Sequence, residues 1–148
     1  YYINMNIIQK IVVGGAVFNK EGKILILQRV ADEEAYPNLW ELPGGSKEPL
    51  EPCQTTLVRE LKEEAGIDVL PVEVFSSFNY TVQKPDIIRD TTQIGFIAKL
   101  VSDNEVVISP EHQAYAWISE DEEDNYGVTV ETKKTIQAAF KRVRQSQV

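Results

Sequence analysis

The chain has 148 residues, 43% of them hydrophobic, which is enough for one domain with a continuous core and too few for two. Its 15 basic and 23 acidic residues give a formal charge of −8, which argues against long nucleic acid or an anionic membrane surface as the main partner. No apolar run approaches the eighteen or more residues of a membrane span, so we expect a cytoplasmic protein without membrane contact.

The N-terminal half begins with a predicted β-hairpin. Residues 1–4 precede Met5 and are interpreted as a remnant outside the natural fold, so that a single domain is expected over 5–148. Residues 7–18 form an extended run, residues 19–22 a turn, and residues 23–30 the returning strand. Aliphatic side chains occupy both alternating sets of that second strand, which predicts a strand covered on both faces.

A helix is predicted from Pro52 to Ala65. Proline suits a first helical turn, and Gly66 stands where a helix ends in a residue able to adopt positive φ. Three glutamates at i, i+3 and i+4 lie on one side of this helix, and an apolar stripe lies on another. The two sets are Glu60, Glu63 and Glu64, and Leu57, Leu61 and Ala65.

The C-terminal half predicts three strands and one helix. The strands span residues 69–82, 91–100 and 114–118, and the acidic run 120–124 is interpreted as a solvated loop or, alternatively, as a source of a base-recognising carboxylate. The helix spans residues 130–143. Its predicted packing side is Thr135, Ala138, Ala139 and Phe140, and its predicted wet side is Lys133, Lys134, Lys141 and Arg142.

The most specific pattern joins the predicted helix to the turn before it. Gly45 is followed after five residues by Glu51, and after seven more by Arg59-Glu60-Leu61-x-Glu63-Glu64-x-Gly66-Ile67. Three glutamates alone usually form a solvated helix face, but the accompanying glycines and arginine at these offsets favour a metal site. The pattern resembles the complete Nudix box, and the segment Leu39–Gly45 resembles the strand and glycine turn that lead into it.

The resemblance implies a fold and a set of metal ligands. The fold is α/β (α+β), a Nudix-like α/β/α sandwich with a mixed β-sheet flanked by helices. Arg59 would pair with Glu51 or a neighbouring carboxylate and orient the cluster. Leu50 and Thr56 differ from the residues that are commoner at these positions of the family. Leu50 is expected to pack, and Thr56 to donate a hydrogen bond back to a helix carbonyl. The implied ligands are the carbonyl of Gly44 and the carboxylates of Glu60, Glu63 and Glu64.

A second, weaker resemblance covers Glu111 to Trp117. It implies that Glu111 faces the metal site, either as a further ligand or as the general base that takes a proton from the attacking water. Glu63 is the alternative base, and the sequence does not choose between them. His112, the only histidine, is interpreted as a hydrogen-bonded surface group, with a catalytic role as the alternative.

The implied reaction is hydrolysis of a nucleoside diphosphate linked to another group X. Mg²⁺, with Mn²⁺ as a substitute, would neutralise the phosphates and activate a water. A small nucleotide such as a (d)NTP, cleaved to NMP and pyrophosphate, is the expected substrate, and ADP-ribose, nucleotide sugars and dinucleoside polyphosphates are the alternatives. A homodimer is kept open. Candidate base-stacking aromatics are Phe18, Tyr36, Phe78, Tyr80 and Tyr126.

Two other functional classes compete with a hydrolase. A non-catalytic nucleotide sensor would keep the fold, but such a module usually loses box carboxylates and this chain retains them all. A calcium-buffering protein would need the acidic loop periodicity of a calcium-binding hand, which the carboxylate spacing lacks. The sequence therefore favours the hydrolase.

Overall fold

A computed structural model describes residues 5–146, so the interpretation of residues 1–4 as a remnant lies outside the described residues. The described part contains seven strands, two α-helices and a short 3-10 helix. The elements are β1 Asn6–Phe18, β2 Ile24–Arg29, β3 Trp40–Glu41, β4 Gly44–Ser46, α1 Cys53–Ala65, β5 Val69–Gln83, β6 Ile87–Leu100, β7 His112–Ile118, the 3-10 helix Glu120–Asn125, and α2 Val130–Ser146.

The sheet is mixed and β1 lies at its centre. β1 runs parallel to β6 along its whole length and antiparallel to β2, and the strand order is β3-β2-β1-β6-β5. β7 pairs with β2, and β4 pairs with β1 at the point where Gly14 faces Gly44. This pairing places the glycine turn of the box against the middle strand of the sheet.

Each face of the sheet is covered by one helix, which confirms the predicted fold. In β2, Leu25 and Leu27 belong to a core cluster beneath α1, while Ile24 and Ile26 belong to a second cluster beneath α2. The strict alternation follows from the two-residue period of a strand. The expectation that this strand is covered on both faces is confirmed, because all four side chains are fully buried.

α1 matches the helix predicted from the sequence closely. It begins at Cys53, one residue later than expected, and its last residue is Ala65. Gly66 caps the helix: its φ is 65°, and its amide donates a hydrogen bond to the Lys62 carbonyl. The predicted apolar stripe is fully buried. Thr56 bonds back to the Pro52 carbonyl at 3.3 Å as expected. The stripe therefore fixes which side of α1 presents its glutamates.

Several expectations about local packing are wrong. Leu50 does not pack: its side chain is 99% exposed, and its φ of 65° shows that the turn needs a left-handed residue. β6 begins at Ile87 rather than at residue 91, since pairing with both β1 and β5 extends it. The acidic run lies in a 3-10 helix that Ser119 caps and so is not a loop, although Glu120, Asp121 and Asp124 are exposed as expected.

The packing side of α2 is rotated from the predicted one. Ile136, Ala139 and Phe140 are buried, whereas Ala138 is exposed. The helix also extends to Ser146. From within it, the Arg142 side chain forms an ion pair with Glu73 of β5, with Nε 2.6 Å from Oε1. Within residues 5–146, no helix combines the length and the apolar character that crossing a membrane requires.

Candidate active site

Arg59 connects the box turn to the box helix. Its guanidinium donates to both carboxylate oxygens of Glu51, at 2.8 and 2.9 Å, and to the Ser46 carbonyl at 3.0 Å. It also donates to Glu60 at 2.8 Å and, more loosely, to Glu63 at 3.4 Å. The bond from Arg59 is the largest cause that lowers the pKa of Glu51 to about 2. The contacts expected of Arg59 are therefore present.

Glu60 lies directly against Gly45. A Cβ at position 45 would stand 2.2 Å from the Glu60 carboxyl carbon, so only glycine leaves room for this carboxylate. Partial burial raises the pKa of Glu60, against the lowering effect of the Arg59 hydrogen bond. Gly45 and Arg59 thus hold Glu60 from two sides.

Glu64 is the buried member of the cluster. It is 6% exposed, and its Oε1 accepts the Gly44 amide hydrogen at 3.0 Å. The pKa of Glu64 is raised to about 8, chiefly by burial and also by the neighbouring charges of Glu41, Glu60 and Glu111, against the lowering effect of the Gly44 hydrogen bond. A carboxylate in such a place is costly unless a cation neutralises it.

The loop that follows β6 is fastened to the end of α1 and brings a further carboxylate to the cluster. The amides of Val107 and Ser109 donate to the carbonyls of Ala65 and Glu64, at 2.9 and 3.0 Å. These bonds satisfy carbonyls that a helix end leaves free. They place Glu111 and His112 beside Glu64, where one ligand atom of each residue lies within 4.8 Å of the others.

Glu63 is the most exposed box glutamate, with 58% of its side chain accessible. Its one described contact is the loose bond to Arg59. An exposed carboxylate at the edge of the cluster is free to meet a ligand or water. Its predicted roles, as ligand and as base, stay predictions, as does metal binding by the Gly44 carbonyl.

His112 is not the surface group that the sequence suggested. Its side chain is 3% exposed, and its Nε2 lies 2.8 Å from Glu41 Oε2. Glu41 in turn accepts two hydrogen bonds from Arg29, at 3.2 and 3.4 Å. Sequence reasoning missed Glu41 and Arg29, although Glu41 is the one charged residue in the apolar segment that leads into the glycines.

The donor set fits a hard divalent cation. Glu111 lies close enough for its charge to raise the pKa of both Glu60 and Glu64, and carboxylate oxygens of this kind suit Mg²⁺ and Mn²⁺. The buried carboxyl of Glu64 has one described hydrogen-bond donor, the Gly44 amide, and so has coordination capacity left. The site can therefore hold a divalent cation at a place where its charge offsets a buried acid.

The predicted base-stacking aromatics differ in how much of each ring is accessible to a ligand. Phe18 is buried in the core, where its ring meets Phe140 edge-on at 5.6 Å, so its faces are closed to a base. Tyr126 packs on Trp40 at 5.0 Å and is partly buried. Tyr36 and Tyr80 are 65% and 40% exposed, and Phe78 lies 6.0 Å from Tyr80. Phe18 is therefore left out of the substrate site.

Comparison with known proteins agrees with this geometry. The model of the NUDIX domain matches residues 9–140. A similar relative is nucleoside triphosphatase NudI of Klebsiella pneumoniae (strain 342), 31% identical over 126 residues, which cover 81% of this chain and 89% of the relative. The family-model match over residues 9–140 includes the box, the Glu111 loop and most of α2.

Solved structures show the same fold. The MutT protein from Methanosarcina mazei Go1 superposes with a TM-score of 0.75 at 25% identity, covering 93% of this chain and 96% of that one. The NUDIX domain of Shewanella oneidensis NrtR, complexed with ADP ribose, gives a TM-score of 0.73 at 18% identity, covering 91% and 88%. The second likeness concerns the fold alone.

Proposed function

The chain belongs to the Nudix family and is a Nudix-type pyrophosphohydrolase, and from that premise we propose that it hydrolyses a nucleoside triphosphate to the monophosphate and pyrophosphate, with Mg²⁺ as its metal. Mn²⁺ is the expected substitute. The observation that carries the proposal is the buried carboxylate of Glu64 inside a cluster with Glu60 and Glu111. The substrate class is supported by the nucleoside triphosphatase relative.

The chain's own residues supply binding and positioning. A bound divalent ion would neutralise phosphate oxygens and lower the pKa of a water. Glu60, Glu64 and Glu111 are the residues that would hold it, with Glu63 as a further candidate. Arg59 and the Gly44 amide fix two of these carboxylates before substrate arrives. Preorganised charge of this kind needs little rearrangement as the phosphoryl group transfers.

Removing the proton from the attacking water is assigned to one of two exposed carboxylates, Glu63 or Glu111. Both are accessible to solvent beside the cluster. Glu111 is carried by a loop, and Glu63 by the rigid box helix, where Arg59 lies within hydrogen-bond reach. A base must reach the proton that it abstracts, and both side chains are exposed beside the carboxylates that would hold the ion.

The base of the nucleotide would stack on exposed aromatic rings. Tyr36 lies on the loop between β2 and β3, and Arg29 ties that loop to the site through the Ala35 carbonyl at 2.9 Å and through Glu41. Tyr80 is accessible on β5, whereas Tyr126 is partly buried against Trp40. We propose Tyr36 first, because Arg29 connects its loop to the carboxylate cluster.

ADP-ribose is the second candidate substrate. The NrtR domain binds it on the same fold, and the box reads only the diphosphate common to both substrates. Nucleotide sugars and dinucleoside polyphosphates share this chemistry and stay alternatives. A cytoplasmic location and a homodimer also stay predictions.

The test is a product analysis over a substrate panel. Canonical NTPs and dNTPs, ADP-ribose, a nucleotide sugar and a dinucleoside polyphosphate are each incubated with Mg²⁺ and with chelator. We expect metal-dependent release of NMP and pyrophosphate from one or more nucleoside triphosphates. Release of AMP from ADP-ribose without triphosphate turnover would show that ADP-ribose, and not a nucleoside triphosphate, is the substrate. Binding of a nucleotide without cleavage of any compound would favour a nucleotide sensor over a hydrolase.

A further inference from the structure

His112 occupies an unusual position for a lone histidine. It opens β7 next to Glu111, and its ring is enclosed between Glu41 on one side and Glu64 on the other. Nε2 lies 2.8 Å from Glu41, whereas Nδ1 lies 3.7 Å from Glu64 Oε2. Nδ1 is buried and makes no hydrogen bond in the described structure. One ring nitrogen is thus paired and the other is free.

The pairing of Glu41 decides which nitrogen carries the proton. Arg29 donates to both oxygens of Glu41, so both of these oxygens act as hydrogen-bond acceptors. The tautomer that matches this contact donates from Nε2 to Glu41, and in that tautomer Nδ1 carries the lone pair that can bind a cation. Nδ1 and Glu64 Oε2 are 3.7 Å apart, too far for a direct hydrogen bond, and a cation between them would be bound by both atoms.

The separations suit a metal ion at this place. Bonds from a divalent ion to nitrogen and carboxylate oxygen are about 2.0–2.2 Å long, so two ligand atoms on one ion stand roughly 3–4 Å apart. Nδ1 and Glu64 Oε2 are 3.7 Å apart, and a Glu111 oxygen lies within 4.8 Å of both. Glu111 is on a loop, and a small movement brings its carboxylate into the same sphere.

We propose that His112 is a metal ligand: Nδ1 joins Glu64 and Glu111 around a divalent ion, and Glu41 holds the ring from its far side. Histidine ligands commonly donate their other N–H to a carboxylate, which fixes the tautomer and strengthens the donor nitrogen. This inference rests on the proposed function, since it adds a nitrogen to the oxygen site of the box.

A nitrogen ligand changes the metal preference of the site. Imidazole suits the later transition metals, whereas Mg²⁺ prefers oxygen and Mn²⁺ is closer to Mg²⁺ in this respect. Co²⁺ should therefore gain most from His112, Mn²⁺ less and Mg²⁺ least. We expect His112→Gln to weaken Co²⁺ binding about tenfold or more and Mg²⁺ binding by less than about threefold.

The decisive measurement is electron spin-echo envelope modulation of Mn²⁺ bound to the protein without an affinity tag. Because the chain has a single histidine, incorporating ¹⁵N-histidine labels this one imidazole. We expect modulation from a directly coordinated imidazole nitrogen that changes from the ¹⁴N to the ¹⁵N pattern with the label. This measurement uses the unmodified sequence, so it does not depend on the folding of a variant.

The outcomes separate this inference from the proposed function. Tightly bound Mn²⁺ without histidine-dependent modulation would overturn the ligand role and leave the oxygen site standing, with His112 bridging Glu41 and Glu64 as a hydrogen-bond donor. Failure to bind Mn²⁺ or Mg²⁺ at all would overturn both. Glu41→Gln, which keeps an acceptor for Nε2, should retain the nitrogen signal while weakening Mn²⁺ binding by less than His112→Gln does.

Discussion

At the residue scale, the site depends on how closely single atoms approach. Glu60 occupies space that only glycine at position 45 leaves open, and Glu64 receives its hydrogen bond from the backbone of Gly44. Arg59 donates hydrogen bonds to Glu51, Glu60 and the Ser46 carbonyl. The glycines therefore shape the carboxylate cluster as directly as the acids do.

Gly45→Ala tests that claim. The new Cβ would meet the Glu60 carboxyl carbon at 2.2 Å and its oxygens at 2.4 and 2.5 Å, so the carboxylate must move. We expect turnover with saturating Mg²⁺ to fall by more than about tenfold, the cost of roughly 1.4 kcal/mol in transition-state stabilisation. The rate is measured by pyrophosphate release.

Gly14→Ala is the matched control, because Gly14 lies in β1 opposite Gly44. A Cβ at position 14 would lie 3.6 Å from the Pro43 carbonyl oxygen and 3.8 Å from Gln93 Nε2, which are ordinary van der Waals contacts. We expect this variant to fold and to keep its activity. Equal activity in both variants would show that the position of Glu60 does not matter to turnover.

The choice of general base is also made at a single residue. Glu63→Gln and Glu111→Gln each remove a charge from an exposed side chain, so neither should unfold the chain. The variant that lacks the base should lose about 10²-fold or more in kcat at neutral pH, with unchanged thermal unfolding. The pH–rate profile should lose its acidic limb in that variant alone. Full activity in both would remove these two carboxylates from the proton transfer.

At the element scale, α1 connects the core to the chemistry. Its stripe of Leu57, Leu61 and Ala65 is fully buried, and this fixes the rotation of the helix about its axis. The same rotation turns Glu64 inward and leaves Glu63 in solvent. The loop bonded to the carbonyls of Glu64 and Ala65 then brings Glu111 to the buried side.

Leu61→Ala should therefore destabilise the fold. Removing a fully buried leucine side chain costs about 2–5 kcal/mol, depending on how far the cavity collapses. Val58→Ala, in the same helix and 38% exposed, should stay within about 1 kcal/mol, because alanine has the higher helix propensity. Urea unfolding of both variants measures the difference. Similar stabilities would mean that α1 does not depend on this stripe.

At the scale of the whole molecule, negative charge accumulates where the sheet and α1 meet. The chain carries a formal charge of −8, and part of this excess is concentrated in the cluster around Glu64. A ligand that binds only the folded state stabilises it by about 2.7 kcal/mol at 100 times its Kd. Divalent cations should therefore raise the melting temperature.

We expect millimolar Mn²⁺ or Mg²⁺ to raise the Tm of the unmodified chain by several degrees. The same ions should not raise the Tm of the double variant Glu60→Gln with Glu64→Gln. Asp103→Asn combined with Glu105→Gln removes two carboxylates from exposed positions in the loop after β6, and this control should respond as the unmodified chain does. Differential scanning calorimetry checks the result. An equal shift in all three proteins would indicate screening of net charge rather than a site.

The sequence by itself determined the family resemblance, the box helix with its glycine end, the mixed sheet with helices on both faces, and the candidate carboxylates. The box helix and the shared face of its glutamates follow from short-range spacing, because helix and strand periods convert sequence offsets directly into faces. The sheet flanked by helices and the role of Glu111 were implied by the resemblance. The parallel pairing of β1 with β6, the burial of Phe18 and His112, and the Arg29–Glu41–His112 chain were decided only by tertiary structure. Residues 29, 41 and 112 are far apart in the chain, and no local period relates them. They meet because β2 pairs with both β3 and β7.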